Sequence, residues 1–324
     1  MRALLCRQYG EPNTLTVEEV PSPAPGRGEL LVNVQAAGVN FPDVLMIQNK
    51  YQHRPALPFT PGYEVAGTVQ QVGPGVAGFS IGDAGVAIIK WGGFAQQAVV
   101  PADRFWRLPH GFDLRIAAAF PLAYGTSYHA LKDRARLMPG ETLVVLGAAG
   151  GVGLAAVQLG KAMGARVIAC ASSDEKLATC RRYGADEVIN YATQNLRESI
   201  RTLTADAGAD VVLDPVGGEF AEPCVRGMAW NGRYLVVGFA AGDIPRIPLN
   251  LPLLKGCAIV GVAWDTYSRR NPAGGQANVD AMIAWIVAGK LQPVVTAEYT
   301  LDNAARALED VMQRKVHGKV VIVP

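Results

Sequence analysis

An apolar run that ends in a glycine-rich turn and a helix constrains this chain most. Residues 143–146 are all aliphatic, residues 147–153 read GAAGGVG, and an apolar helical pattern continues from 154 to 163. A buried strand, a tight turn and a helix N-terminus in that order predict the first βαβ unit of a dinucleotide-binding domain. The fingerprint is A-x-G-x-x-G, because Ala148 stands where the first glycine is usual. A tight turn without a ligand is the alternative interpretation.

Two glycines of this turn have predicted tasks. Gly150 lets the backbone approach a pyrophosphate closely, and Gly153 lets the helix pack against the strand. The N–H groups of the first helical turn then face the negative charge of the phosphates.

Composition limits the class of protein. A chain of 324 residues favours two domains. With 50% hydrophobic and 18% charged residues it is typical of a well-buried globular enzyme. A net charge of +2 argues against a nucleic-acid partner. The absence of a long apolar run argues against a membrane span or a signal peptide.

The cysteines indicate the compartment. There are five, scattered along the chain and odd in number, which predicts reduced thiols in the cytoplasm and no disulfide framework.

The order of patterns predicts an α/β protein with two kinds of domain. Residues 1–122 carry short strands broken by glycine and proline, which indicate a β-rich, barrel-like catalytic domain. Residues 123–266 alternate apolar strands with helices, as in a doubly wound parallel sheet with both faces covered. Residues 267–324 are predicted to return and complete the first domain, with a last strand at 319–323. The strands predicted for the parallel sheet are 143–146, 166–171, 187–191, 210–214, 234–238 and 257–262.

The end of the second strand of this sheet bears on the choice of cofactor. An acidic residue there would bind the ribose 2′-OH of NAD, but this chain has Ser172 and Ser173, with Lys176 one helical turn later. Hydroxyl groups and an ammonium suit a 2′-phosphate, so NADPH is favoured. Ser172 with Glu175 is also predicted to form a capping box for the next helix, and both roles can hold. Asp174 remains a candidate for the acidic residue that binds the ribose 2′-OH of NAD, although it lies beyond the strand.

No zinc site is predicted. The histidines are His53, His110, His129 and His317, none lies near a pair of cysteines, and the chain has no C-x-x-C.

Three segments, 37–43, 58–67 and 145–153, resemble the medium-chain dehydrogenase/reductase superfamily, and within it the zinc-free, zeta-crystallin-like quinone oxidoreductases. This resemblance covers essentially the whole chain. It implies a Rossmann domain together with a GroES-like catalytic domain. Zinc-dependent relatives carry Gly-His-Glu where this chain has Gly62, Tyr63 and Glu64, and a cysteine ligand near residues 38–40. They also have a four-cysteine structural zinc lobe that has no counterpart here, so the resemblance implies a zinc-free protein.

The resemblance also implies the site residues. Asn40, Tyr51 and Asp43 would be the catalytic residues at the nicotinamide end, where Asn40 would also touch the cofactor. The remaining cofactor contacts would be Thr126 at the nicotinamide, Ala149, Gly150, Gly151, Val152 and Gly153 at the pyrophosphate, Ser172, Ser173, Lys176 and Tyr191 at the 2′-phosphate, Val237, Gly238, Phe239 and Ala240 beside the ribose and carboxamide, and Val262, Ala263 and Trp264 over the nicotinamide. Three of these have plainer interpretations: Asn40 as a turn former, Tyr51 as a surface aromatic and Trp264 as a core residue.

The expected activity is hydride transfer from NADPH to a quinone or a similar electron-poor conjugated carbonyl. Asn40 and the Tyr51 hydroxyl would stabilise the developing oxyanion, and water would supply the proton. A 2-alkenal, enone or enoyl-thioester reductase is the alternative enzyme. A NADPH-binding sensor or structural protein is the alternative outside enzymes. The resemblance further implies a homodimer, through the apolar edge strand at 257–262.

Overall fold

The chain folds into two compact units. A computed structural model describes residues 1–324. One unit comprises Met1–Leu122 and Pro293–Pro324, and the other comprises Ala123–Gln292. The first unit divides from the second after Leu122, and its C-terminal segment begins at Pro293, whereas the sequence analysis placed the start of the return segment at 267.

Polar side chains keep residues 267–292 in the second unit. Lys132 Nζ donates to Asn278 Oδ1 at 2.6 Å, and Asn278 Nδ2 donates to Asp133 Oδ2 at 2.8 Å. The Gln158 amide binds the backbone of Gln292 twice, accepting from its N–H at 2.8 Å and donating to its carbonyl at 2.9 Å. These partners lie more than 130 positions apart in sequence, so no local pattern marks the boundary.

Fifteen strands and eleven α-helices make up the two units. The strands are β1 (Arg2–Leu5), β2 (Thr16–Glu19), β3 (Glu29–Gly38), β4 (Glu64–Val72), β5 (Ala84–Ile88), β6 (Gln97–Pro101), β7 (Phe105–Arg107), β8 (Thr142–Val145), β9 (Arg166–Ala171), β10 (Glu187–Asn190), β11 (Ala209–Asp214), β12 (Met228–Val236), β13 (Ala258–Gly261), β14 (Val295–Thr300) and β15 (Lys319–Val323). The helices are α1 (Phe41–Ile47), α2 (Leu114–Ala119), α3 (Ala123–Tyr128), α4 (Gly151–Ala162), α5 (Asp174–Arg182), α6 (Leu196–Leu203), α7 (Ala221–Arg226), α8 (Asn250–Lys255), α9 (Trp264–Arg270), α10 (Pro272–Val287) and α11 (Ala304–Met312). A π-helical segment, His129–Ala135, follows α3.

The first unit is built around the long strand β3. The sheet order is β14-β15-β3-β4-β5-β7, and β6 also pairs with β3. β3 pairs with β6 through residues 29–33 and with β15 through residues 37–38, and its pairing with β4 has two register shifts. Such irregularities bend a strand and increase its twist. They let β3 change neighbours along its length and bring the end of β3 beside the starts of β4 and β15.

The second unit is a six-stranded parallel sheet in the order β10-β9-β8-β11-β12-β13. The order reverses between β8 and β11, and ligands of doubly wound sheets bind outside the carboxyl ends of the strands at such a point. The parallel sheet predicted from the apolar strands is therefore confirmed. None of the chain's helices combines the length and the apolar character that a membrane crossing needs.

Candidate active site

The turn between β8 and α4 offers unpaired backbone N–H groups. Gly150 is the N-cap residue with extended backbone (φ −76°, ψ 172°), and α4 begins at Gly151. No side chain caps this helix and its first turn holds no acidic residue. The N–H groups of the first turn are therefore directed at solvent or a ligand, as in a phosphate-binding turn.

The glycines of this turn differ in the space around them. A Cβ at Gly153 would overlap the carbonyl oxygen of Gly147 and lie 2.7 Å from Ala148 Cα, so packing demands glycine there. A Cβ at Gly150 would meet only the Gly147 carbonyl, at 3.4 Å, which is ordinary contact. Packing within the chain therefore requires glycine at 153 but not at 150. The residue with positive φ is Gly147 (φ 55°), which the A-x-G-x-x-G fingerprint does not include.

The end of β9 brings two of the expected 2′-phosphate residues together. Lys176 Nζ lies 3.5 Å from Ser172 Oγ. The N-cap of α5 is Ser173, whose Oγ accepts from the Lys176 N–H at 3.4 Å. The predicted capping box of Ser172 with Glu175 is therefore wrong, because α5 begins one residue later. Ser172 is left exposed beside the ammonium.

Tyr191 and Asp174 lie at the same edge. Asn190 of β10 is paired with Ala171 of β9. Tyr191 and Ser172 each follow the last residue of these two neighbouring strands, so they lie side by side. The Tyr191 ring packs on Phe220 at 4.5 Å between centroids. Asn190 Nδ2 donates to Asp174 Oδ1 at 2.9 Å. Asp174 is the candidate carboxylate for binding the ribose 2′-OH of NAD, and this hydrogen bond already occupies one of its oxygens.

A buried carboxylate that the sequence analysis missed shapes the loop after β11. Asp214 Oδ1 accepts from the N–H groups of Val216 (2.6 Å) and Gly217 (2.8 Å), and Oδ2 accepts from the Tyr234 hydroxyl. Burial raises the pKa of Asp214. The expected contact residues 237–240 run beside this loop, with the N–H of Val237 bonded to the Asp214 carbonyl at 3.0 Å. The motif D-x-V-G-G at 214–218 is the signal that could have revealed it.

The environments of Thr126 and Trp264 differ. Thr126 is half-buried in α3, and its neighbour Ser127 donates to the carbonyl of Val152 at 2.8 Å, which ties α3 to the first turn of α4. Trp264 is 2% exposed, and its indole fills the space over Gly125, where a Cβ would lie 2.6 Å from Cε2. Trp264 is thus a core residue, the plainer of its two interpretations.

The expected contact residue Val262 follows the edge strand β13. Its N–H donates to the carbonyl of Val236 at 3.0 Å.

Asn40 belongs to a closed polar network in the first unit. Its Nδ2 donates to the carbonyl of Gly38 at 3.1 Å and to Glu64 Oε1 at 2.9 Å, and its Oδ1 accepts from Lys319 Nζ. Both amide hydrogens are therefore used. The expected role of the Asn40 side chain as an oxyanion donor does not fit this geometry.

Asp43 is buried beside Asn40. Its carboxylate accepts from the backbone N–H groups of Asn40 at 2.8 Å and Gly62 at 3.2 Å. Burial raises the pKa of Asp43 to about 7, although these N–H groups and the charge of Lys319 act in the opposite direction. Asp43 holds backbone groups in place and faces no solvent.

Tyr51 lies in an aromatic cluster. Its ring makes edge contacts with His53 (centroids 5.7 Å apart) and Tyr63 (6.1 Å), and His53 stacks on Tyr63 at 6.2 Å. Tyr63 is buried, whereas Tyr51 and His53 are half-buried. The cluster therefore offers partly accessible ring surface.

The residues around Glu64 do not fit a metal ion. Lys319 Nζ lies 2.8 Å from Glu64 Oε1, so a cation bound there would be repelled by the ammonium. No group of three or more His, Cys, Asp or Glu residues in the chain is arranged to hold a metal.

Two family models match the chain. The alcohol dehydrogenase GroES-like domain matches residues 26–110, and a model described as zinc-binding dehydrogenase matches residues 151–285. The first lies in the first unit and the second in the parallel-sheet unit, in agreement with the expected GroES-like and Rossmann domains.

Individual proteins match over the whole chain. A quinone oxidoreductase-like protein 2 homolog of Nematostella vectensis is 39% identical, covering 99% of this chain and 88% of its own. The Escherichia coli quinone oxidoreductase solved in complex with NADPH is 27% identical with a TM-score of 0.93, covering 100% of both chains. A structure described as a NAD-dependent alcohol dehydrogenase is 30% identical with a TM-score of 0.91, also over 100% of both chains. The chain therefore belongs to the quinone oxidoreductase-like enzymes of the medium-chain dehydrogenase/reductase superfamily.

Proposed function

We propose that this oxidoreductase uses NADPH to reduce quinones or similar electron-poor conjugated carbonyls, without zinc. The observation that carries the proposal is the Lys176 ammonium, 3.5 Å from Ser172 Oγ at the end of β9. Similarity alone does not choose the cofactor, because chains described with NADPH and with NAD share this fold.

Charge at the end of β9 favours NADPH over NADH. A 2′-phosphate would accept hydrogen bonds from Ser172, Ser173 and the Lys176 ammonium, and charge-assisted bonds of this kind are the strong ones. Asp174 would disfavour the phosphate, but its carboxylate is bonded to Asn190. Tyr191 would flank the adenosine end beside Ser172.

The remaining cofactor contacts are assigned from the fold. Residues 149–153 would hold the pyrophosphate at the start of α4, where backbone N–H groups are available. We assign the nicotinamide half to Thr126 and to the backbone of residues 237–240 and 262–263. Trp264 would support this region from the core.

The catalytic roles are divided between Tyr51 and the buried network. NADPH, when bound, supplies the hydride. The acceptor oxygen gains negative charge as the hydride arrives, and a hydroxyl donor there lowers the barrier. Tyr51 is the candidate donor, because both amide hydrogens of Asn40 are already used. Asn40 and Asp43 hold the backbone around Tyr51, and water supplies the proton to the product.

The aromatic cluster favours a planar acceptor. Tyr51 and His53 are half-buried rings, and offset or edge contacts between aromatic rings contribute about 0.5–1.5 kcal/mol beyond area burial. A quinone ring can use such contacts, whereas a linear alkenal or thioester gains less from them. Reduction of alkenals, enones or enoyl thioesters is therefore the second candidate function, and a non-catalytic role as a NADPH sensor is the third.

The test is steady-state oxidation of NADPH and of NADH over a panel of quinones, alkenals and enoyl thioesters, with a chelator present throughout. Chelator-insensitive turnover of quinones with NADPH preferred is expected. Turnover confined to alkenals or thioesters would assign the alternative enzyme. Tight NADPH binding without turnover of any acceptor would assign the sensor.

We further propose a homodimer in a reducing compartment such as the cytoplasm. β13 is an edge strand, and Ile259 on it is exposed, as are Trp230, Leu253 and Leu254 of neighbouring elements. An uncovered apolar edge strand is a pairing surface. All five cysteines are free thiols, which supports the expectation of a reducing setting.

A further inference from the structure

One buried carboxylate joins both ends of the segment that carries Tyr51. The segment begins at α1, just after Asn40, and ends just before Tyr63. Asp43 Oδ2 accepts from the N–H of Asn40 at its start, and Asp43 Oδ1 accepts from the N–H of Gly62 at its end. The segment is therefore a loop whose two ends are fixed to each other.

A lysine from the C-terminal strand ties the residues that flank this loop. Lys319 Nζ donates to the carbonyl of Val39 at 2.8 Å, to Asn40 Oδ1, and to Glu64 Oε1 at 2.8 Å. Val39 and Asn40 precede the loop and Glu64 lies just after it. All three ammonium hydrogens therefore donate hydrogen bonds. The ion pair of Lys319 and Glu64 is buried, with 4% of the Lys319 side chain and 0% of the Glu64 side chain exposed.

The surrounding backbone is shaped for this ion pair. A Cβ at Gly38 would lie 2.8 Å from Glu64 Cδ and overlap the carbonyl of Ala118, so glycine at 38 leaves room for the carboxylate. Glu64 Oε2 accepts from the N–H of Leu122 at 2.9 Å. Both carboxylate oxygens therefore have partners, as a buried charge requires.

We propose that Lys319 is a positioning residue for the reaction. It holds the ends of the loop 41–62 together, and so places Tyr51, without touching substrate or cofactor. This inference rests on the proposed function for its effect on turnover, but its effect on the loop is independent of it.

Removal of the Lys319 ammonium would leave several buried groups without their partner. Glu64 would keep a buried charge unpaired, and the carbonyl of Val39 and Asn40 Oδ1 would lose their donor. Water then enters to satisfy these groups, or they separate. Either response loosens the two ends of the loop and lets Tyr51 sample other positions.

The experiment compares Lys319→Met with Leu30→Ala. Leu30 is a fully buried residue of β3 outside the network, so its truncation destabilises the same unit without removing the ion pair. Hydrogen exchange of the amides in residues 48–61, the affinity for NADPH and kcat with a quinone are measured for both variants. For Lys319→Met, loop exchange at least tenfold faster, kcat at least tenfold lower and NADPH affinity within twofold of wild type are expected.

For Leu30→Ala, loop exchange and kcat near those of wild type are expected. Unchanged loop exchange in Lys319→Met, or an equal acceleration in both variants, would overturn the proposal. If Lys319→Met does not fold, Lys319→Ala is measured with and without propylamine. Saturable recovery of loop protection by the amine supports the proposal, and its absence counts against it. The exchange measurement needs no acceptor, so it decides the inference even if no quinone is reduced.

Discussion

The carbonyl oxygen of Gly147 occupies the space that a side chain at Gly153 would need. Gly150, three residues earlier on the same turn, has no such neighbour. We therefore expect packing to require glycine at 153 and cofactor binding to require glycine at 150, and substitution can separate the two requirements.

Gly153→Ala is expected to lower the free energy of unfolding by about 1–3 kcal/mol, because the added methyl overlaps backbone atoms. Gly150→Ala is expected to keep the wild-type unfolding free energy but to bind NADPH at least tenfold more weakly, because its Cβ would lie where we propose that the pyrophosphate binds. Urea unfolding and cofactor titration of both variants check this. Equal losses of stability in the two variants would contradict the assignment.

Lys176→Ala is expected to weaken NADPH binding about tenfold or more and to leave NADH binding nearly unchanged. The reason is the loss of a charge-assisted contact to the 2′-phosphate, which contributes about 1.5–3 kcal/mol. Titration of both cofactors by fluorescence measures the two affinities. Lys290→Ala, at an exposed lysine of the same unit, is the matched control. An equal loss for NADPH and NADH would reject the assignment.

Tyr51→Phe is expected to lower kcat with quinones roughly 10–100-fold, because the oxyanion loses its hydroxyl donor. The affinity for NADPH should stay within twofold. The ring is retained, so packing on His53 and Tyr63 persists and serves as the internal control. Stopped-flow oxidation of bound NADPH gives the rate of the chemical step. A wild-type rate in this variant would show that the Tyr51 hydroxyl is not the hydrogen-bond donor to the oxyanion.

Asp43 should give the stability of the first unit a distinctive pH dependence. Burial raises its pKa in the folded chain from 3.8 to about 7, so between these values the folded state holds a proton that the unfolded state has lost. The resulting stabilisation is fully present below about pH 4 and is lost as pH rises through about 7.

Asp43→Asn removes this titration, so the loss of unfolding free energy that it causes should be larger at pH 5 than at pH 8. Urea unfolding across this range measures it. Asp83→Asn serves as the control. A hydrogen bond from the Ser80 N–H lowers the pKa of the half-buried Asp83, so the effect of this substitution on the unfolding free energy should be flat over the same range. An equal loss at pH 5 and pH 8 for Asp43→Asn would show that the carboxylate is charged throughout this range.

Ile259→Lys is expected to convert a dimer to a monomer, because it places a charge on the exposed face of the edge strand β13. Light scattering with size-exclusion chromatography measures the mass. Ile81→Lys, at an exposed isoleucine of the first unit, should leave the mass unchanged. A wild-type chain that runs as a monomer would remove the basis for the dimer.

The sequence alone was enough to predict the parallel sheet, and its resemblance to a known family was enough to predict the class of enzyme. The sheet rests on local patterns, such as an apolar strand of four to six residues, and local patterns do not depend on distant partners. Strands β9 and β15 were predicted with their observed bounds, while the short strands β1, β6, β7 and β14 were not.

The tertiary structure decided how the chemistry-bearing groups are used. Lys319 lies 279 positions from Asn40 in sequence and 255 from Glu64, and no periodicity links them. Their contact turns Asn40 from a candidate hydrogen-bond donor into a fixed part of a network. The burial of Trp264 and the boundary at Gln292 likewise depend on side chains that meet only after folding. A residue's type reveals which bonds it can make, but only its neighbours in space determine which of those bonds are already made.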